Sequence, residues 1–182
     1  MRAEIRRLQA ALGVTTLYVT HDQAEAMTLG HRIAVVRDGR LQQLADPRTI
    51  YEEPANRYVA AMFGTAGMNF LDGRVERRGD ELWFVGGAPG DVSGAELPVP
   101  AVARSALSRY AGRPVTLGVR PEHVEVVGPD ANPDAGPPRG PVLIRAVVGS
   151  VEYLGAEVAV TLRAGDWTCV ARRPAERRPS GQ

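Results

Sequence analysis

The hydrophobic pattern changes period at Gly64, so one kind of layer cannot accommodate the whole chain. Before that glycine, helical spacing dominates. Ile5, Leu8, Ala11 and Leu12 share one face, and Gly13 suits the left-handed position that ends a helix. Asp22 stands as an N-cap with Glu25 three residues later, the reciprocal spacing of a capping box. Asp46-Pro47 opens a further helix, and Asn56 to Phe63 supply another. Among these, Thr15–Thr20 reads as a short buried strand, while Ile33–Val36, Asp38-Gly39 and Leu41–Leu44 read as a tight hairpin. After Gly64 the pattern is short strands: Phe70–Arg77 and Leu82–Val85 around a turn at Gly79, then Val115–Val119, Val142–Tyr153, Glu157–Leu162 and Thr168–Ala171. Residues 86–98 read as a Gly/Pro-rich loop, and residues 128–141 (GPDANPDAGPPRGP) as a second, flexible one. The expectation is an α+β composite. Residues 1–64 form an α/β remnant, and residues 65–182 form a small all-β domain.

Composition removes several chemistries. All 22 basic residues are arginine, so no Schiff-base lysine is available. For the same reason no GxxxxGK[ST] phosphate loop is present in the sequence. Charge balances at +1 and aromatics are 5%, which argues against nucleic acid as a partner. The one cysteine, Cys169, excludes an internal disulfide and reads as a buried small hydrophobe. No apolar run approaches the ~20 residues of a membrane span. Residues 2–12 are charged and amphipathic, unlike a signal peptide, so the expected setting is cytoplasmic. His123 has no second His or Cys at ligand spacing, and no metal site is expected.

His21 is the first candidate for chemistry. It ends the expected strand directly before a capped helix, at the edge of a sheet where α/β folds place ligands. Its imidazole could donate to a phosphate oxygen; a helix-start histidine bonded to a backbone carbonyl explains the same position. The longer string runs from Tyr18-Val19-Thr20-His21-Asp22-Gln23-Ala24-Glu25-Ala26-Met27-Thr28-Leu29 through Arg32-Ile33-Ala34-Val35-Val36 to Asp38-Gly39-Arg40. It resembles the end of an ATP-binding cassette, in the ATPase subunit of bacterial ABC importers of the maltose and glycerol-phosphate type. The resemblance continues through Pro47, Ile50-Tyr51, Pro54 and Arg57-Tyr58-Val59-Ala60, to Met68-Asn69-Phe70 and Gly118-Val119-Arg120-Pro121-Glu122-His123.

That resemblance implies a C-terminal remnant of the ABC nucleotide-binding domain over residues 1–64. It implies a transport-associated, OB-like (TOBE) regulatory barrel over residues 65–182, left incomplete at Arg172–Gln182. His21 would be the switch histidine that senses the ATP γ-phosphate, with Asp22 and Gln23 beside it. Met68, Asn69, Phe70, Arg120, Pro121, Glu122 and His123 would belong to the regulatory domain. The intact family uses ATP and Mg, and no cofactor is expected for this chain alone. Its partners are a second ATPase subunit, two transmembrane permeases and an extracytoplasmic solute-binding protein. The assembly sits peripherally on the inner face of the cell membrane and takes up sugars or related polyols.

The departures limit this expectation. The family's P-loop, adenine platform, Q-loop, signature motif and Walker B pair have no counterpart in these 182 residues. Met1 stands where the family has an internal residue of its helix, as in a truncated gene, an internal start or a fragment. The isolated chain is therefore expected not to hydrolyse ATP. Two other readings stand beside this one: a stand-alone OB-like module that binds a solute or regulates a partner, and a nonfunctional truncation product. The smaller signals have structural readings. Arg120 and Glu122 suit a surface ion pair or a partner's edge, and Pro121 fixes the turn between them. His31 suits a helix end. Arg172, Arg173, Arg177 and Arg178 suit a solvated basic tail, with anionic-lipid contact as the alternative.

Overall fold

Three separate clusters of buried apolar side chains organise the described residues. In the computed structural model, which describes residues 2–64, 67–87, 96–128 and 144–175, they fall into two compact units, Met1–Met68 and Asn69–Gln182.

In the first unit, α1 (Arg2–Leu12) ends at Gly13, whose φ of 61° lets its N–H reach the Gln9 carbonyl. Next come α2 (Gln23–Leu29), the hairpin β1 (Ile33–Arg37) and β2 (Arg40–Ala45), α3 (Pro47–Glu52) and α4 (Arg57–Met62). Asp38 and Gly39 both take positive φ, as a two-residue hairpin turn demands. Ile33 and Val35 alternate inward and pack with Ile50, Val59 and Phe63, while Ala26, Met27, Ala45 and Tyr58 flank them. Asp46 and Asn56 cap α3 and α4 through their side-chain oxygens.

The strand expected over Thr15–Thr20 does not form. These residues are irregular, and all but the half-buried Thr20 are open to solvent, with Leu17 90% and Val19 87% exposed. β-branched residues make a strand only beside a hydrogen-bonding neighbour, and the ladder described in this unit joins β1 to β2 alone.

The second unit contains two open sheets. One has the order β5-β4-β3-β6, from β3 (Asn69–Arg78), β4 (Glu81–Gly86), β5 (Glu96–Pro98) and β6 (Pro114–Val119). The other has the order β7-β8-β9, from β7 (Val147–Tyr153), β8 (Glu157–Ala164) and β9 (Trp167–Pro174). Val75, Leu82 and Val99 form one core under α5 (Ala101–Leu107), with Ala103, Leu107, Tyr110 and Val115 around it. Val158, Val160, Leu162, Cys169 and Ala171 form the other, flanked by Val124, Val126, Trp167 and Ala175.

Several expectations need correction. The unit is mixed α+β rather than all-β because α5 caps the first core, and no closed barrel is formed among the described residues. The loop expected over 86–98 begins on the last residue of β4 and ends within β5, and its residues 88–95 lie outside the described residues. So do residues 129–141 of the second loop and residues 142–143 of the strand expected from Val142. Arg172 and Arg173 are not tail residues: they extend β9, where Arg172 makes an ion pair with Glu157. Arg177 and Arg178 lie outside the described residues. No helix among the described residues is long and apolar enough to cross a membrane.

Candidate functional site

The first candidate site is built where the irregular segment enters α2. The Asp22 carboxylate accepts hydrogen bonds from the N–H groups of Ala24 (2.7 Å) and Glu25 (3.0 Å). The Glu25 N–H bond is the chief cause holding the Asp22 carboxyl below the usual carboxylate range, helped by Ala24, Arg2 and His21. Only half of the expected capping box is made. Glu25 does not reach back to the Asp22 N–H, which donates instead to Thr20 Oγ1 at 2.9 Å. The Glu25 carboxylate accepts from Thr20 Oγ1 at 2.9 Å and from the Tyr18 hydroxyl at 3.0 Å. That bond to Glu25 raises the Tyr18 pKa.

Gln23 anchors the same corner from the other side. Its amide nitrogen donates to the Gly64 carbonyl at 3.1 Å, and its amide oxygen accepts from the Gly64 N–H at 2.8 Å. His21 is thus carried between an anchored helix start and a tethered Thr20, with its imidazole exposed. The arrangement can present one imidazole to a ligand. It does not fit a complete nucleotide site: the first amides of α2 are occupied by Asp22, the sequence holds no lysine for phosphate, and the described residues contain no metal-holding group of three His, Cys, Asp or Glu.

The second candidate site brings together two strings distant in sequence. Asn69 and Phe70 open β3 and pair with Val119 and Gly118 of β6, directly before Arg120-Pro121-Glu122-His123. The Asn69 side chain, itself buried, reaches the other sheet. Its amide nitrogen donates to the Val170 carbonyl and its oxygen accepts from the Val170 N–H, both at 2.8 Å. Pro121 is fully buried and starts a 3-10 turn over Pro121–His123 that packs on β9. Glu122 and His123 are exposed. Arg120 is a correction: expected at the surface, it is only 5% exposed, and burial lowers its guanidinium pKa. Met68 belongs to the first unit and is half-buried. His31 is exposed beyond the Gly30 cap of α2.

The cap at Asp22 was visible from spacing. Neither the Gln23–Gly64 pairing nor the Asn69–Val170 clamp carries a local signal, since their partners lie 41 and 101 residues away.

Two open sheets, tied strand to strand by a buried asparagine, define a mixed α+β sheet module in a chain that also carries a smaller helix–hairpin unit. The comparisons agree with that class. Residues 67–124 match the family model of the MalK OB fold domain, and residues 117–181 match that of the TOBE domain. The trehalose/maltose import ATP-binding protein MalK of Thermococcus litoralis is 45% identical over 98% of this chain and 45% of its own length. The sn-glycerol-3-phosphate import ATP-binding protein UgpC of Salmonella choleraesuis is 38% identical over 99% of this chain and 45% of its own length. An uncharacterized ABC transporter ATP-binding protein of Bacillus subtilis, YurJ, is 41% identical over 91% of the chain and 42% of its own length. The chain therefore spans less than half the length of these relatives. What the chain matches is the TOBE/OB-bearing C-terminal region of MalK/UgpC-like ABC-transporter ATPases.

Proposed function

We propose that the chain serves an ATP-driven importer of sugars or related polyols, with residues 1–64 a piece of the nucleotide-binding domain and residues 65–182 the regulatory domain. The observation that carries this reading is the 45% identity to a trehalose/maltose import ATP-binding protein across 98% of the chain. In this reading His21 contacts the γ-phosphate of ATP bound elsewhere in the assembly. Asp22 fixes the start of α2, and Gln23 ties that start to Gly64, so the imidazole is presented in one place. ATP and Mg would be held by residues outside this chain. The assembly would include a second ATPase subunit, two permeases and an extracytoplasmic solute-binding protein, on the inner face of the membrane. Asn69, Phe70, Arg120, Pro121, Glu122 and His123 maintain the regulatory sheet module, with Met68 leading into it.

A chromosomal His21→Ala replacement tests the reading. Uptake of labelled maltose, trehalose and sn-glycerol-3-phosphate is measured beside the abundance of the protein. The expected result is loss of uptake of at least one solute at unchanged abundance. Undiminished uptake of all three in both the replacement and a deletion of the locus would remove the importer role. The second reading, a stand-alone OB-like module, is favoured by one observation: the Asn69–Val170 clamp and two cores lie wholly within the second unit. It predicts that one of these solutes stabilises the purified chain against heat.

A further inference from the structure

The Thr20 hydroxyl stands in a closed ring of hydrogen bonds around His21. It donates to Glu25 Oε2 at 2.9 Å and accepts from the Asp22 N–H at 2.9 Å, a bond that spans His21. The Glu25 N–H then donates to Asp22 Oδ1 at 3.0 Å, which closes the ring. A hydroxyl has one proton to give and lone pairs to receive with, so a single threonine oxygen fills both roles.

Helix capping does not require this ring. Asp22 alone receives the Ala24 and Glu25 amides, and a full capping box would send the Glu25 side chain to the Asp22 N–H. Glu25 instead takes two hydroxyls, those of Thr20 and Tyr18, on one carboxylate oxygen. Bonds to a charged acceptor are about twice as strong as neutral ones. Val19 and His21 are exposed, so the backbone at His21 is fixed by these bonds rather than by packing of its own side chains.

We propose that Glu25 is a positioning residue for His21: its carboxylate holds the Thr20 hydroxyl, and that hydroxyl holds the backbone that carries the imidazole. Tyr18 meets the same oxygen from outside the ring, so its loss leaves the ring closed. An imidazole that must meet one phosphate oxygen is sensitive to this hold, since a displacement of about 1 Å can cost up to about a hundredfold in rate. The consequence for uptake rests on the importer reading; the hold on His21 does not.

Amide nitrogen relaxation of the purified chain tests the hold. The order parameter at His21 is expected near about 0.85 and falls below about 0.6 in Thr20→Val and Glu25→Ala, while Ala26–Leu29 stay unchanged. Thr20→Ser and Tyr18→Phe retain it, and Glu25→Gln, which keeps an acceptor without the charge, lies between. Uptake by chromosomal replacements follows the same order. Thr20→Val and Glu25→Ala lower the maximal rate at least about tenfold at unchanged abundance and half-saturating solute, and Thr20→Ser and Tyr18→Phe stay within about threefold. The proposal is overturned if neither Thr20→Val nor Glu25→Ala changes the order at His21, or if Tyr18→Phe acts as strongly as Thr20→Val. Loss of order throughout α2 in both variants also overturns it, because Glu25 would then support the helix only. So does full uptake by Glu25→Ala where His21→Ala abolishes uptake. Uptake indifferent to His21→Ala removes the importer reading instead, and the relaxation series alone then decides the hold on His21.

Discussion

Asn69 is the residue on which the second unit most visibly depends. Its amide donates to the Val170 carbonyl and accepts from the Val170 N–H, tying β3 to β9. Asn69→Ala removes two part-buried hydrogen bonds and is expected to cost about 2 to 4 kcal/mol in urea unfolding. Asn69→Asp keeps the acceptor but turns an oxygen toward the Val170 carbonyl, so it should rescue little. Recovery by Asp would show that packing, not the donor, matters. Asp22 supports a different prediction. Its folded pKa is depressed, so its contribution is present above the unfolded value of about 3.9 and is lost as pH falls through the lower folded value. Protection factors of the α2 amides, taken relative to intrinsic exchange at each pH, should fall over that acid window. Asp22→Asn, which caps without titrating, should flatten the dependence while leaving protection at neutral pH nearly unchanged.

At the scale of elements, what was legible follows from how local the cause is. The α1, α3 and α4 helices carry their own stop or cap: Gly13, Asp46 and Asn56. The β1–β2 turn carries Asp38-Gly39, and alternating Ile33 and Val35 announce which side is inward. Thr15–Thr20 has the right residues for a strand and no neighbour to pair with, which residue type alone does not reveal. α5 escaped notice because Pro100 precedes it without a side-chain cap bond, and its helical face is completed only by Val75 and Leu82 beneath it. The unpaired segment should show its state in hydrogen exchange: amides of residues 14–19 should exchange at least about a hundredfold faster than those of Val158, Val160 and Leu162. Comparable protection would mean that the segment is paired in solution. Gly73 makes the complementary point inside a ladder. A Cβ there would lie within 3.0 Å of Phe84 and of the Gly86 backbone, where β3 crosses β4. Gly73→Ala should therefore destabilise by about 1 to 3 kcal/mol, read as a lower urea midpoint at unchanged slope.

For the whole molecule, the proposed importer role asks for more chemistry than the His21 site supplies. Phosphoryl transfer from ATP needs the phosphates cradled, a metal bridging them and a positioned water. This chain supplies one exposed imidazole at His21, and it has no lysine for the phosphates. Its described carboxylates near that imidazole are already committed: Asp22 to the amides of α2, and Glu25 to Thr20 and Tyr18. One hydrogen bond to a charged group contributes about 1.5 to 3 kcal/mol at most. By itself that corresponds to dissociation constants weaker than about 1 mM. The purified 182-residue chain is therefore expected to show no Mg-dependent phosphate release above buffer and no saturable ATP binding below the millimolar range by calorimetry. Micromolar binding or turnover abolished by His21→Ala would require a phosphate cradle within these residues, and would contradict the assignment of His21 as a single contact to a nucleotide held elsewhere.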